Sequence, residues 1–517
     1  MVKLDTGFVG PVTPDEDTQD DNSEVNERLT ESDVQEDLLR QPQLMMKIVE
    51  KTLSVAKNLR DNYFRNTARF ISHLRRAMNR DNKEEQESSI LQTYSVADAA
   101  WEEFQNELVS FIDGGVGQTE LSQVPILLRV GSYEVHIGER NMTERENFGY
   151  YPVIFGDLEG GSKERRDFPD IVRITAELLG GLSTLYRNPN LRVLMFHGPL
   201  VYLMNAYAGH TPFTEADIDL FLKHYSGDKE QAKQLKEDFL EEARLNIYPS
   251  LASGRSDEWI RRRLFEPLSW IAFLYRKLIS DAKTREPRPI IAGVVERGGL
   301  REFCEKVLLE RVFYSLRQKG NENYFNEMFG LSNLTSPKNL MDVLGYTDNL
   351  LLPLLLDNGE YSEPWKMSKS SGLRSGEIRL PEESGSSTVD FSCLREYSQF
   401  GFPIVKGTYI RVGENTEPIR VEVFSELGEN QVEEAVRRVY LYSRLLPNYG
   451  FPVGLDIADK FAHVPNWMTR AYDKMIRHTL GVSLQKGEIS DEDMRRVLVQ
   501  AIYMTPRDWF LRPTVKG

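Results

Sequence analysis

The sequence predicts an α/β protein built on a mixed sheet, and three observations predict it. Short runs rich in β-branched and aromatic residues are interleaved with segments whose apolar residues recur at helical spacing. Three such strand runs precede a strongly amphipathic helix and a fourth follows it. Hydrophobic residues make up 40% of the 517, enough to bury a sizeable core in one large domain or several smaller ones.

The elements follow in order. Asp15, Glu16, Asp17, Asp20, Asp21, Glu24, Glu27, Glu31, Asp33, Glu36 and Asp37 crowd a stretch with few large apolar residues, so residues 1–40 are expected to be a disordered acidic tail. Residues 41–100 form a helical arm. In it Leu44, Ile48, Leu53, Leu59, Phe64, Phe70 and Leu74 recur at roughly helical intervals, with Lys47, Lys51, Lys57, Arg60, Arg65, Arg69, Arg75 and Arg76 between them. Such a basic face is either solvated or a contact surface for DNA or a partner. After a polar gap from Asp81 to Ser89, a helical stretch is expected through Trp101 and Phe104.

Residues 101–510 are assigned to one large domain. Leu108 to Ile112 reads as a strand that stops at Asp113-Gly114-Gly115, and Pro125 to Glu139 and Tyr150 to Gly161 read as the next two. From Asp167 to Tyr186, Ile171, Ile174, Leu178, Leu182 and Leu185 line one stripe of a helix, and Leu191 to Phe196 is a strand ending at His197-Gly198-Pro199. Ile290 to Val295 is a buried strand, Leu300 to Leu316 a helix, and Tyr409 to Glu422 a hairpin around Gly413-Glu414-Asn415. Ser368 to Asp390 reads as a mobile surface loop. Residues 430–446 and 466–480 supply the additional C-terminal helices.

Several function classes are disfavoured. A net charge of -15 argues against gripping nucleic acid through a strongly basic surface, although much of the acidity sits in the tail. Cys304 and Cys393 make neither a disulfide framework nor a metal knuckle, which fits a reducing compartment. The first residues lack a signal-peptide pattern, and the longest apolar run, Leu350 to Leu356, is interrupted by Pro353 and too short to span a bilayer. A cytoplasmic protein is expected. No phosphate-loop pattern occurs, and Gly160-Gly161-Ser162-Lys163 has the wrong spacing for one.

Three positions carry candidate chemistry. Asp113 ends one strand, Glu177 lies on the amphipathic helix and His197 ends the strand after it. In an RNase H-like fold those three places meet around divalent ions, which orient a water and stabilise the charge developing on a phosphate. The flanking glycines would let a phosphate backbone approach. Taken singly, each has a plainer reading. Asp-Gly-Gly is a common turn, Glu177 stands four residues from Arg173 and could simply pair with it, and a histidine is more often a structural hydrogen-bonding group than a ligand.

Six ordered segments carry a resemblance. They are FIDGG at Phe111 to Gly115, RITAELL around Glu177, FHGPL at Phe196 to Leu200, IAGVVERGG at Ile291 to Gly299, YTDNLLLPLLLDNGEYSEP at Tyr346 to Pro364 and YGFPVGLDIADKFAHVPN at Tyr449 to Asn466. Together they resemble the motifs of the NurA nucleases over Phe111 to Trp467. The resemblance implies an RNase H-like core and a manganese-dependent nuclease acting on single-stranded and duplex DNA, with magnesium the other candidate ion. It also implies a ring-like homodimer docked on a HerA-type hexameric ATPase, in resection of DNA ends for repair by homologous recombination. Phosphodiester hydrolysis by metal-activated water would then use Asp113, Glu177, His197 and Asp459 as metal ligands and Tyr449 to position the phosphate.

Three positions depart from the family pattern. The family has aspartate where His197 stands, lysine where Glu296 stands, and often histidine near Asp459. A neutral imidazole still ligates manganese, and if Asp459 takes the place of the family's histidine the two ligands have been exchanged and the carboxylate count is kept. The alternative for Asp459 is a surface ion pair with Lys460. The competing reading of the whole chain is a catalytically weakened clamp or adaptor for the ATPase.

Overall fold

The structure is a computed structural model that describes residues 42–78, 90–118, 124–158, 162–201, 213–223, 225, 229–242, 267–367, 379–381, 388–390 and 403–503. The acidic stretch 1–40, the polar gap and most of 368–390 lie outside them. The chain divides into two units, 1–70 and 71–517. In the first, the described part is helical: α1 (Pro42–Asn58), a π-helical stretch (Leu59–Phe64) and the start of α2 (Arg65–Ala77).

The second unit is built on a ten-stranded sheet. Its strands in chain order are β1 (Thr93–Ser95), β2 (Leu108–Gln118), β3 (Val124–His136), β4 (Glu146–Leu158), β5 (Leu191–His197), β6 (Ile290–Val295), β7 (Glu360–Ser362) and β8 (Trp365–Lys366), then, after a separate two-stranded ribbon of β9 (Arg379–Pro381) and β10 (Thr388–Asp390), β11 (Val405–Ile410) and β12 (Ile419–Phe424). The spatial order is β1-β7-β11-β12-β6-β5-β2-β3-β4, with β8 on β11. Strands β2, β3 and β4 form an antiparallel meander, β5 lies parallel to β2, and β6 parallel to β5. A helix, α3 (Ser162–Arg187), connects β4 to β5. That is the strand order of an RNase H-like core, extended past β6 by antiparallel β12 and β11.

Burial explains the layering. All six residues of β6 are buried, as a strand covered on both faces requires. On one face α3 turns its apolar stripe, Ile171, Ile174, Leu178, Leu182 and Leu185, into the core beside α4 (Pro267–Lys283). On the other face lie α5 (Gln431–Tyr442) and α6 (Val453–Ala462), whose Val436, Val439, Leu455 and Ala458 pack with Phe111, Met195, Val294 and Val421. Beyond them run α7 (Asn466–Gln485) and α8 (Glu492–Tyr503).

Two expectations need correcting. The stretch expected to be helical up to Phe104 contains β1, which pairs antiparallel with β7, and only Trp101–Phe104 turns, as a 3-10 helix. Edge pairing overrides local helical preference there. Within Ser368 to Asp390, expected as a loop, the described residues form the β9-β10 ribbon.

Candidate metal centre

Parallel pairing sets the site. β2 does not stop at Asp113 as the sequence suggested but runs on to Gln118 against β3; its parallel pairing with β5 ends at Ile112 and Phe196, so the next residues, Asp113 midway along β2 and His197 at the carboxyl end of β5, emerge together. His197 Nδ1 lies 3.0 Å from Asp113 Oδ2, and Asp113 Oδ1 accepts the Gly114 N–H at 2.8 Å. Asp459, on α6, completes the group. One ligand atom from each of Asp113, His197 and Asp459 lies within 4.8 Å of the others.

Glycines bring that helix close enough. A Cβ on Gly115 would sit 2.2 Å from the Ala462 carbonyl oxygen, and one on Gly131 would sit 2.5 Å from that of Ala458. Gly115 therefore seats α6 against β2 and β3, where the sequence suggested room for a phosphate. Gly114 points into the opposite layer, where a Cβ would meet Glu177 Oε1 at 2.6 Å. Glu177 is 4% exposed and lies behind Asp113, bound by Arg173 at 2.8 Å. The pair with Arg173 that the sequence suggested forms, and Glu177 is not among the three residues whose ligand atoms converge.

The electrostatics are those of a crowded acid cluster. Burial, followed by the charge of Asp113, pushes Asp459 up to about 6. Burial likewise raises Glu177 to about 7 against the opposing pull of Arg173. Burial would lower His197, but its hydrogen bond to Asp113 and the charges of Asp113, Asp459 and Glu296 outweigh that and raise it to about 9. At neutral pH the imidazole is a cation held by acids.

The segment before α6 contributes an aromatic ring to His197, from Phe451, with ring centroids 5.3 Å apart. Tyr449, two residues earlier, is 42% exposed. Other residues around the centre escaped sequence reasoning. The turn after His197 is tied by Gly198 N–H to the Val294 carbonyl at 2.8 Å, by Leu200 N–H to Glu422 Oε2 at 2.8 Å and by Tyr275 O–H to the Leu200 carbonyl at 2.6 Å. Asp348, in the threonine-aspartate segment, is fully buried and accepts the backbone N–H groups of Phe303 and Cys304 and the Tyr409 hydroxyl. It ties β11, through Tyr409, to the Phe303–Cys304 backbone.

Residues 271–464, which include β6, β11, β12 and Asp459, match the sequence model of the NurA domain. Over that stretch the chain is similar to the NurA family. Asp113, Glu177 and His197 precede the matched stretch of the NurA domain. Among solved structures, the NurA nuclease from Sulfolobus solfataricus is 14% identical, with 86% of this chain and 98% of that one covered and a TM-score of 0.38. A NurA structure with manganese is 12% identical, with 81% and 98% covered and a TM-score of 0.35. No curated protein matches the sequence. No helix among the described residues is long and apolar enough to cross a membrane.

Proposed function

We propose that the chain is a divalent-metal-dependent deoxyribonuclease that hydrolyses phosphodiester bonds and works with a HerA-type DNA-translocating ATPase in DNA-end processing. One observation carries the reading: two carboxylates and an imidazole converge within 4.8 Å where β2, β5 and α6 meet, in a chain whose residues 271–464 match the NurA domain. The donor set fits a divalent ion. Asp113 and Asp459 are close enough for the charge of one to hinder ionisation of the other, a conflict that a shared cation relieves.

Asp113, His197 and Asp459 would hold the ion, manganese by analogy with the manganese-bound NurA or else magnesium, and the bound ion would supply charge stabilisation at the phosphate and an activated water. Asp113 is fixed by the Gly114 N–H, and His197 must give up its proton to offer a lone pair. Glu177, raised to about 7, stands behind them able to hold or release a proton near neutrality. Tyr449, on the surface turn leading to Phe451, supplies a phenol for a phosphate oxygen. Leu44, Ile48 and Val55 are exposed along one side of α1 and Met46, Val49 and Leu53 along the opposite side, apolar surface that a second copy or the ATPase would cover.

The test is cleavage of end-labelled single-stranded and duplex DNA with manganese, magnesium or chelator, alone and with a HerA-type ATPase. Metal-dependent cleavage lost in Asp113→Asn is the expected result. Intact DNA under every metal, with retained DNA or ATPase binding, favours the second reading, a clamp or adaptor. A specific observation supports that alternative: the His197 imidazolium already rests 3.0 Å from Asp113, where a metal's charge would otherwise be needed.

A further inference from the structure

On the layer opposite to Asp459, β12 carries two charged residues in the middle of the sheet. Arg420 and Glu422 are 4% and 0% exposed, with Arg420 Nε donating to Glu422 Oε1 at 2.8 Å. Burying such a pair gives little net stability, because desolvation offsets the attraction and apolar residues of similar volume serve as well or better. The pair's second connection gives it a purpose. Glu422 pairs across the ladder with Gly293 of β6, and a Cβ on Gly293 would sit 2.7 Å from the Leu200 nitrogen. Over that bare backbone, Glu422 Oε2 accepts the Leu200 N–H, while the Tyr275 hydroxyl donates to the Leu200 carbonyl. Leu200 is thus held at both backbone groups, three residues after His197.

The other end of Arg420 reaches the neighbouring loop. Its Nη1 is buried without a hydrogen-bond partner and lies 2.8 Å from where a Cβ on Gly298 would be, two residues after Glu296. Asn349, which donates to the Glu296 carbonyl, lies against the same glycine. Arg420 and Glu422 therefore stand behind both strand-end segments beside the centre, 197–200 and 296–299.

We propose that Glu422, oriented by Arg420 and seconded by Tyr275, is a positioning residue that fixes the turn carrying His197 so that its imidazole faces Asp113 and Asp459. This rests on the reading of that centre as a metal site. Neither Glu422 nor Arg420 touches the ligands; they act through the Leu200 backbone.

The experiment uses the full chain with Arg420→Met combined with either Glu422→Leu or Glu422→Gln. Both doubles remove both charges, so neither strands a buried ion, but only glutamine keeps an acceptor for the Leu200 N–H. Hydrogen exchange over residues 197–201 should be about tenfold faster in the leucine double than in the glutamine double, the loss of one hydrogen bond. Manganese affinity, read by electron paramagnetic resonance of the free ion, should weaken by about tenfold or more in the leucine double and stay near the parent value in the glutamine double, as for other groups that orient metal ligands. In a cleavage assay the leucine double should lose kcat with little change in KM for DNA. Tyr275→Phe, which deletes one hydroxyl, should shift exchange and affinity in the same direction with less risk to the fold. Identical exchange and manganese affinity in all variants would overturn the proposal. A parent that neither binds manganese nor cuts DNA, with the exchange difference intact, would overturn the metal-site reading and leave the positioning role standing.

Discussion

Metal binding should expel a proton from His197, and the size of the effect follows from the site. With the imidazole raised to about 9, roughly one molecule in a hundred has a free nitrogen at pH 7, so the apparent affinity for manganese is about a hundredfold below its limit, or about 3 kcal/mol. Asp459, raised only to about 6, is already largely ionised at pH 7 and adds little above it. The dissociation constant should therefore tighten about tenfold per pH unit from about pH 7 to 9 and then level off. Anaerobic titration calorimetry in two buffers of different ionisation enthalpy measures the protons released, close to one at pH 7.5. His197→Asn should release fewer protons there and lose the tenfold-per-unit dependence between pH 8 and 9, leaving only the displacement of protons from Asp459 and Glu177 near neutrality. An affinity independent of pH between 7 and 8.5 in the parent, with no proton released, would refute the claim that the imidazolium and the metal compete. The same proton has a sign in stability: the folded value lies above the ordinary 6.5, so its contribution to the metal-free fold is complete below about 6.5 and disappears as pH rises through about 9.

Other perturbations probe the same region. Asp113→Asn should abolish metal-dependent cleavage while circular dichroism and oligomeric state stay unchanged, because it removes one ligand charge at constant volume. His197→Asp with Asp459→His should retain more manganese affinity than either single change, with a coupling of roughly 0.5–3 kcal/mol in a double-mutant cycle; additive single effects would remove the idea of exchanged ligands. Glu177 titrates in the fold at about 7 against an ordinary 4.5, so the fold gains protons in that window and loses stability as pH rises through it. Relative to Glu177→Gln, the parent should therefore lose about 3 kcal/mol between pH 4.5 and 8, measured by denaturant midpoints. Gly115→Ala should cost about 1–3 kcal/mol and weaken manganese binding, because its Cβ drives α6 away from β2; unchanged affinity would show that Asp459 is not needed.

Much of the fold was legible because its signals are local. Alternating and apolar runs marked β2, β5 and β6, and the stripe Ile171, Ile174, Leu178, Leu182 and Leu185 marked α3. Asp113 and His197 stood out as polar residues after apolar runs and before glycine, although β2 continues past Asp113 to Gln118. Asp459 is different in kind. Beside Lys460 on an amphipathic helix it reads as a surface charge, and only its approach over Gly115 and Gly131, more than three hundred residues earlier in the chain, turns it toward Asp113. The run Ile419 to Phe424 alternates charged and apolar residues, which by sequence means a strand with one wet face; the turn at Leu200 and the segment at Gly298 lie against that face, and Arg420 and Glu422 end up buried. β1 was missed because a three-residue edge strand has no periodicity long enough to recognise.

The seating of α6 on Gly115 and Gly131 has a bearing on how such a centre can change over evolutionary time. The distance between the two halves of the site is set by missing atoms, so there is no chemistry at 115 or 131 for selection to tune: any side chain is too much. The proposed ligand positions are under the opposite regime. Their backbones are fixed by β2, the end of β5 and α6, while on the proposed reading the groups they present can be traded, an imidazole for a carboxylate on one side and the reverse on the other. A lineage bound by this arrangement has a rigid frame and interchangeable donors, and its route to a new metal preference runs through 113, 197 and 459 rather than through the glycines that hold them together.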